Sequence, residues 1–127
     1  MYSVRIRNKI MIAHSLGKAI FGPASKMHGA TYVVDAVFSS ETLDENNIVI
    51  DIGLAHEILK EVLGELDYQN LDELPIFQGK ITTTEFLAKF IHDRVRDQIK
   101  DFDGIVEIVL GESHEAWASY KGENEHL

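Results

Sequence analysis

Tyr2-Ser3-Val4-Arg5-Ile6-Arg7-Asn8-Lys9-Ile10-Met11-Ile12 is the stretch that decides the fold. Tyr2, Val4, Ile6, Ile10 and Ile12 share one parity, and Ser3, Arg5, Arg7 and Lys9 share the other. Side chains alternate across a β-strand, so this pattern is a half-buried strand with one face on a core. Such a face needs partner strands and a covering layer from the rest of the chain.

Outward from it, residues 15–29 hold Gly17, Gly22, Pro23 and Gly29 and read as a loop. A second strand is predicted over about 30–39, with Tyr32, Val34, Ala36 and Phe38 on one face and Thr31 and Asp35 on the other. The polar run SSETLDENN (39–47) is an exposed connection, followed by the short apolar run Ile48-Val49-Ile50. Asp51 is placed to cap a helix from about Ile52, in which Leu54, Ile58 and Val62 recur at helical spacing beside Leu59, Leu63 and Leu66. After a loop with Pro75 and Gly79, a second helix is predicted near Thr82–Glu85. Thr82 and Glu85 there fit a capping box, and Leu87, Phe90, Ile91, Val95 and Ile99 form the apolar stripe. A third strand is expected over 104–110 and a fourth over 116–120, and the tail GENEHL (122–127) is polar. The order ββααββ predicts an α+β domain over 1–121: a four-stranded antiparallel sheet with two helices on one face. Its two free edges call for pairing or protection, which oligomerisation supplies.

Composition removes several function classes. The net charge of -9 repels phosphate backbones, so nucleic acid is not an expected partner. The absence of cysteine removes disulfides, thiolate metal ligands and a thiol nucleophile, leaving His, Asp and Glu as metal ligands. No apolar run reaches the roughly 18 residues of a membrane span. The N-terminus alternates where a signal peptide would be continuously apolar, so a cytoplasmic location is expected.

The order of elements is shared by many folds, and the motifs are more specific. Ile12-Ala13-His14, Phe21-Gly22-Pro23-Ala24, His28-Gly29-Ala30, Asp51-Ile52-Gly53, Leu66-Asp67-Tyr68-Gln69-Asn70-Leu71, Thr83-Thr84-Glu85 with Leu87-Ala88, and Glu112 followed by Trp117-Ala118 and Tyr120 occur in this order. Each is weak alone. Together, over residues 2–121, they resemble the 6-pyruvoyl-tetrahydropterin synthase / 6-carboxytetrahydropterin synthase family. The resemblance implies the tunnelling fold, assembly as a hexamer of two trimers with pterin sites between subunits, zinc, and a lyase-type reaction on 7,8-dihydroneopterin triphosphate. It also implies residue roles. His14 and His28 are zinc ligands, Asp67 and Tyr68 occupy catalytic positions, Glu112 anchors the pterin, and Thr83 and Glu85 help hold it.

This sequence departs from the family pattern on chemistry rather than on fold. Ala24 stands at the catalytic thiol, Ala30 at the third zinc histidine and Tyr68 at the triad histidine. Zinc needs about three protein ligands plus an open position for catalysis, and only two family ligands remain; a carboxylate, His114 or another subunit would have to complete the set. Ser25 beside Ala24 is a weak nucleophile without a base, and Lys26 reads as a solvated loop residue. Tyr68 is a poor base, with a reference pKa of about 10. Ordinary structural readings stand beside these. Asp67 suits a turn, Glu85 completes the capping box, Trp117 and Tyr120 suit core and sheet, and His56, His92 and His126 suit a helix surface or the tail. For Glu112 the ordinary reading is a solvated hairpin residue; the context with Trp117-Ala118 and Tyr120 favours the anchor, and a carboxylate can accept both N3–H and the 2-amino group of a pterin side by side. Three functions stay open: a divergent lyase or aldolase acting on a dihydroneopterin side chain, a non-catalytic pterin- or purine-binding module, and an inactive subunit of a mixed oligomer.

Overall fold

The computed structural model describes residues 1–123. The expectations for His126 and for the rest of the tail, 124–127, lie outside the described residues. The alternating N-terminal stretch is β1 (Tyr2–His14), paired antiparallel along its length with β2 (His28–Ser40), from Tyr2 opposite Ser40 to His14 opposite His28. The second strand therefore starts two residues earlier than the sequence suggested and carries His28 and Gly29 in the ladder. The loop before it contains a short 3-10 segment, Ala19–Ser25. α1 (Ile52–Gly64) and α2 (Thr84–Gln98) follow, with the two-residue β3 (Gln69–Asn70) between them, and then β4 (Ile105–Gly111) and β5 (Trp117–Lys121).

Among the described residues the sheet has five strands in the order β3-β1-β2-β4-β5, and β3 runs parallel to β1. The four predicted strands are present and antiparallel, so the expected four-stranded antiparallel sheet is corrected to a mixed one by a single short edge strand. A two-residue strand has no alternation to read. It is fixed instead by contacts to the β1 backbone: the Asp67 carboxylate accepts from Met11 N at 2.9 Å, and Tyr68 N donates to Met11 O at 2.7 Å.

Both helices lie on the even-parity face of β1 and β2. Ile6, Ile10, Tyr32, Val34, Phe38, Ile108 and Leu110 pack there with Ala55, Ile58, Leu59, Val62 and Leu63 of α1 and with Leu87, Ala88, Ile91 and Val95 of α2. Fully burying such aliphatic and aromatic side chains contributes about 1.5–3 kcal/mol each, which makes this layer the main source of stability. Leu54, read as part of the α1 stripe, is exposed; the buried stripe starts at Ala55. Asp51 caps α1 as expected, accepting from Gly53 N at 2.9 Å. No helix among the described residues is long and apolar enough to cross a membrane.

Two local readings are corrected. The α2 cap is Thr83, whose hydroxyl accepts from Phe86 N at 3.1 Å, so Glu85 is the second helical residue and the Thr82–Glu85 capping box does not form. Thr82 is displaced from capping because its hydroxyl, buried, meets Nδ1 of His14 at 2.9 Å. His92, read as a helix-surface residue, is 6% exposed, with its ring edge-to-face on Tyr120 at 4.8 Å. The cause is β5, which returns the chain over that side of α2.

Candidate functional site

The end of the β1–β2 ladder places two imidazoles together. His14 and His28 are directly paired residues, and their ring centroids lie 4.6 Å apart at 63°. Both nitrogens named Nδ1 are engaged from behind. His28 Nδ1 donates to the Lys26 carbonyl at 2.8 Å, which fixes the hydrogen on Nδ1 because a carbonyl only accepts. His14 Nδ1 meets the Thr82 hydroxyl at 2.9 Å, where either partner can donate. His14 is 2% exposed. Burial pushes its pKa below the ordinary histidine value, the neighbouring His28 adds to this, and Asp72, Thr82 and Glu112 pull the other way.

These rings open onto a cavity of about 260 Å³. His14, Ala24, His28, Tyr32, Thr83, Thr84, Glu85 and Glu112 are among its lining residues. The N-terminus of α2 brings Thr84 and Glu85 to the cavity, and the tight turn after β4 brings Glu112. Glu112 N and Ser113 N both donate to Ala116 O in that turn. The Thr84 hydroxyl points to Oε2 of Glu112 at 3.4 Å, long for a hydrogen bond, so most of the carboxylate's acceptor capacity is unused. A neighbouring cleft of about 360 Å³ shares Thr84, Glu85 and Glu112 and adds Trp117.

Several residues were not singled out by sequence. Thr84, not Thr83, faces Glu112, because Thr83 is used as the cap. Tyr32 was assigned to the core, and it is 1% exposed, yet it also lines the cavity beside His28. Burial raises its pKa first of all, and Glu112 and Glu85 add to this, while a hydrogen bond with Thr84 opposes it. Strand parity held this signal: His28, Ala30 and Tyr32 share one face. Trp117, assigned to core and sheet, is 46% exposed, its indole Nε1 donating to His114 O at 3.3 Å.

Asp67 and Tyr68 sit elsewhere. They lie at the β1 edge and are not among the residues lining this cavity. Tyr68 is 79% exposed in a left-handed conformation, φ 60. Asp67 is occupied by the Met11 backbone. Ala24, in contrast, lines the cavity with both histidines, so the position that the resemblance gives to a thiol presents a methyl group there.

The fit of zinc is decided by the donor set. Two imidazoles oriented through Nδ1 leave Nε2 on each, as a metal-binding pair requires. A third donor is missing: among the described residues no group of three or more His, Cys, Asp or Glu side chains is gathered. Ala30 lies on the same face of β2 as His28, where a third imidazole would belong. The residues of this chain therefore do not complete a three-ligand zinc site.

Comparison with known proteins identifies the family and the fold. The sequence family described as 6-pyruvoyl tetrahydropterin synthase matches residues 3–123. The chain is 33% identical over 108 residues to the 6-pyruvoyl tetrahydrobiopterin synthase of Dictyostelium discoideum, covering 84% of this chain and 78% of that protein. It is 25% identical over 119 residues to the 6-carboxy-5,6,7,8-tetrahydropterin synthase of Bacillus subtilis, covering 88% and 80%. The solved structure of Caenorhabditis elegans 6-pyruvoyl tetrahydropterin synthase superposes with a TM-score of 0.86 over 96% of each chain at 20% identity, which establishes the shared fold.

Proposed function

The chain belongs to the 6-pyruvoyl tetrahydropterin synthase family, and from that premise we propose that it binds a pterin through Glu112 without running the family's zinc–thiol reaction. The supporting observation is the cavity itself, which gathers Glu112, Thr84, His14 and His28 around a methyl group at Ala24. The carboxylate of Glu112 accepts N3–H and the 2-amino group of the pterin, Thr84 holds the carboxylate, and Glu85 lies beside it. Thr83 acts through the helix cap. Subunits assemble as a homo-oligomer, and Asp67 and Tyr68 serve a site only if a neighbouring copy carries them to it.

Two readings of the chemistry follow. Retention of the imidazole pair favours a divergent lyase or aldolase acting on a dihydroneopterin side chain. Ala24 favours a binding module without turnover. Acid–base groups are typically worth about 10²–10⁴-fold each, so loss of the thiol and the triad imidazole takes ordinary synthase turnover to background. Zinc is held below one ion per chain after dialysis, and Ala30→His raises its retention by completing the histidine set.

The test is calorimetric titration of neopterin into wild type and Glu112→Ala, with a turnover assay on dihydroneopterin and its triphosphate. A hydrogen bond to a charged group contributes roughly 1.5–3 kcal/mol, so Glu112→Ala weakens binding about tenfold to a hundredfold. Equal binding by the variant, or none by wild type at millimolar ligand, ends the pterin reading. Formation of a pyruvoyl or carboxy product at an ordinary rate ends the claim of altered chemistry.

A further inference from the structure

The sheet has a second face, turned away from both helices. Its strand residues take no part in lining the histidine cavity. The ionisable side chains on it are Arg5, Arg7 and Lys9 of β1, Asp35 of β2, Glu107 of β4 and Lys121 of β5. The chain as a whole carries a net charge of -9, so a face on which cations outnumber carboxylates stands apart from the rest of the surface. Glu107 and Lys121 are direct cross-strand partners. The excess of positive charge therefore sits on β1, where three cations at alternate positions stand against the one carboxylate of Asp35.

Asp35 fixes two of these cations and does not exhaust them. It is fully buried and accepts from Nε of Arg5 and from Nε and Nη2 of Arg7. A guanidinium has five N–H donors, so both Nη groups of Arg5 and Nη1 of Arg7 stay unused among the described residues. The side chains of Arg5 and Arg7 are 55% and 64% exposed. Lys9 is exposed as well, and its ammonium has no partner among the described residues. Two guanidiniums locked from below lose little further rotamer freedom on meeting a ligand.

We propose that Arg5, Arg7 and Lys9 bind an oligophosphate, a short chain of linked phosphate groups, on the open face of β1. The site is separate from the Glu112 anchor and does not rest on the pterin reading. Alternate residues of a strand lie roughly 7 Å apart, so the three cations make a straight row on an open surface. A single phosphate reaches part of the row, and a linked chain reaches along it. Phosphate also suits the donors: its several oxygens match the fork geometry of both guanidiniums, and Lys9 adds a point charge at the end.

The experiment is calorimetric titration of inorganic triphosphate into the whole protein at low salt, with orthophosphate as the comparison. Triphosphate should bind at about one per chain and roughly tenfold tighter than orthophosphate, because it adds contacts to further cations of the row. Added salt should weaken it, since exposed charges are screened. Lys9→Gln removes a cation that holds nothing in the fold and should weaken triphosphate about threefold. Lys60→Gln makes the same change of net charge on the exposed side of α1 and should leave the affinity unaltered. ATP carries the phosphate chain as an ester. Affinity equal to that of triphosphate supports a site for free and esterified chains alike, and weaker binding supports a site for the free chain.

No binding of triphosphate at millimolar concentration overturns the proposal. Equal losses in Lys9→Gln and Lys60→Gln overturn it too, because the anion would then be responding to net charge and not to this row. So does tighter binding of tetraglutamate than of triphosphate, which would give the row to an acidic peptide.

Discussion

Asp35, in the middle of β2, and Glu112, in the turn after the neighbouring strand β4, are both carboxylates, and their surroundings differ in every respect. Asp35 is fully buried under the stems of two half-exposed arginines. It accepts from Arg5 Nε at 2.7 Å and from Arg7 Nε and Nη2 at 2.8 and 2.9 Å. Glu112 is exposed and has one long hydroxyl contact. The first carboxylate is saturated by its own chain and belongs to the fold. The second is held in place with its acceptors open, which is what a ligand anchor needs. Burial and charge alone would have marked Asp35 as the functional group. Counting unused acceptors marks Glu112.

The largest test of this contrast removes the partners of Asp35. Arg5→Met with Arg7→Met keeps the aliphatic stems and strips all three hydrogen bonds, leaving a buried carboxylate with no cation beside it. Breaking a buried pair this way costs about 3–5 kcal/mol. Urea denaturation followed by circular dichroism should show that loss. A change below about 1 kcal/mol would mean that Asp35 escapes to solvent or protonates at little cost.

Smaller and more discriminating is the same chemical change made at both positions. Asp35→Asn turns amide hydrogens toward arginine donors and should cost about 1.5–3 kcal/mol of stability, with neopterin affinity unchanged. Glu112→Gln places a donor against a ligand donor and should weaken neopterin about tenfold, with the denaturation midpoint unchanged. A stability loss at Glu112 or an affinity loss at Asp35 breaks the distinction between the two groups.

The acid limb gives a third measurement. The Arg7 hydrogen bonds hold Asp35 below the usual carboxylate range, burial works against them, and Arg5 adds to them. A carboxylate with a depressed folded-state pKa contributes stability above its unfolded value, about 3.9, and loses it as the pH falls through the folded value. Wild-type stability should therefore drop below about pH 4 more steeply than that of Asp35→Asn. Parallel curves for the two proteins would remove Asp35 from the acid response.

These contrasts also show what the sequence could and could not reveal. Alternation in Tyr2–Ile12 was enough to orient β1, and the same parity put Asp35 on the face away from the helices. Parity does not report that Arg5 and Arg7, two residues apart on β1, fold their stems over that carboxylate and bury it. His14, His28 and Glu112 meet at one cavity because each sits at the end of a strand, or just past it, whose register is fixed by its apolar pattern, while Ala24 reaches the same cavity from the 3-10 segment between β1 and β2. Asp67 and Tyr68 follow α1 at the sheet edge, where two residues of parallel pairing carry no periodic signal. Trp117 and His92 changed places with expectation: the tryptophan is half open beside Glu112, and the histidine is buried under β5. Which side of a short hairpin strand faces the helices is settled by packing that propensity does not encode.

The smallest effect separates two adjacent threonines. Thr82-Thr83-Thr84 offers three hydroxyls for one cap, and the capping-box spacing to Glu85 pointed to Thr82. In the structure Thr82 bonds His14, Thr83 caps α2 and Thr84 faces Glu112. Removing an N-cap hydroxyl costs about 1 kcal/mol, so Thr83→Ala should lower the denaturation midpoint, with a smaller effect on neopterin affinity than Thr84→Val. Thr84→Val keeps the shape and removes the hydroxyl that steadies Glu112. A neutral hydrogen bond is worth about 0.5–1.5 kcal/mol, and at 3.4 Å this one belongs near the lower end, so affinity should fall about twofold to threefold. Calorimetry and denaturation on the same two variants read both quantities. If Thr83→Ala weakens the ligand more than Thr84→Val does, the anchor is positioned through the helix cap, and the direct Thr84–Glu112 contact is incidental.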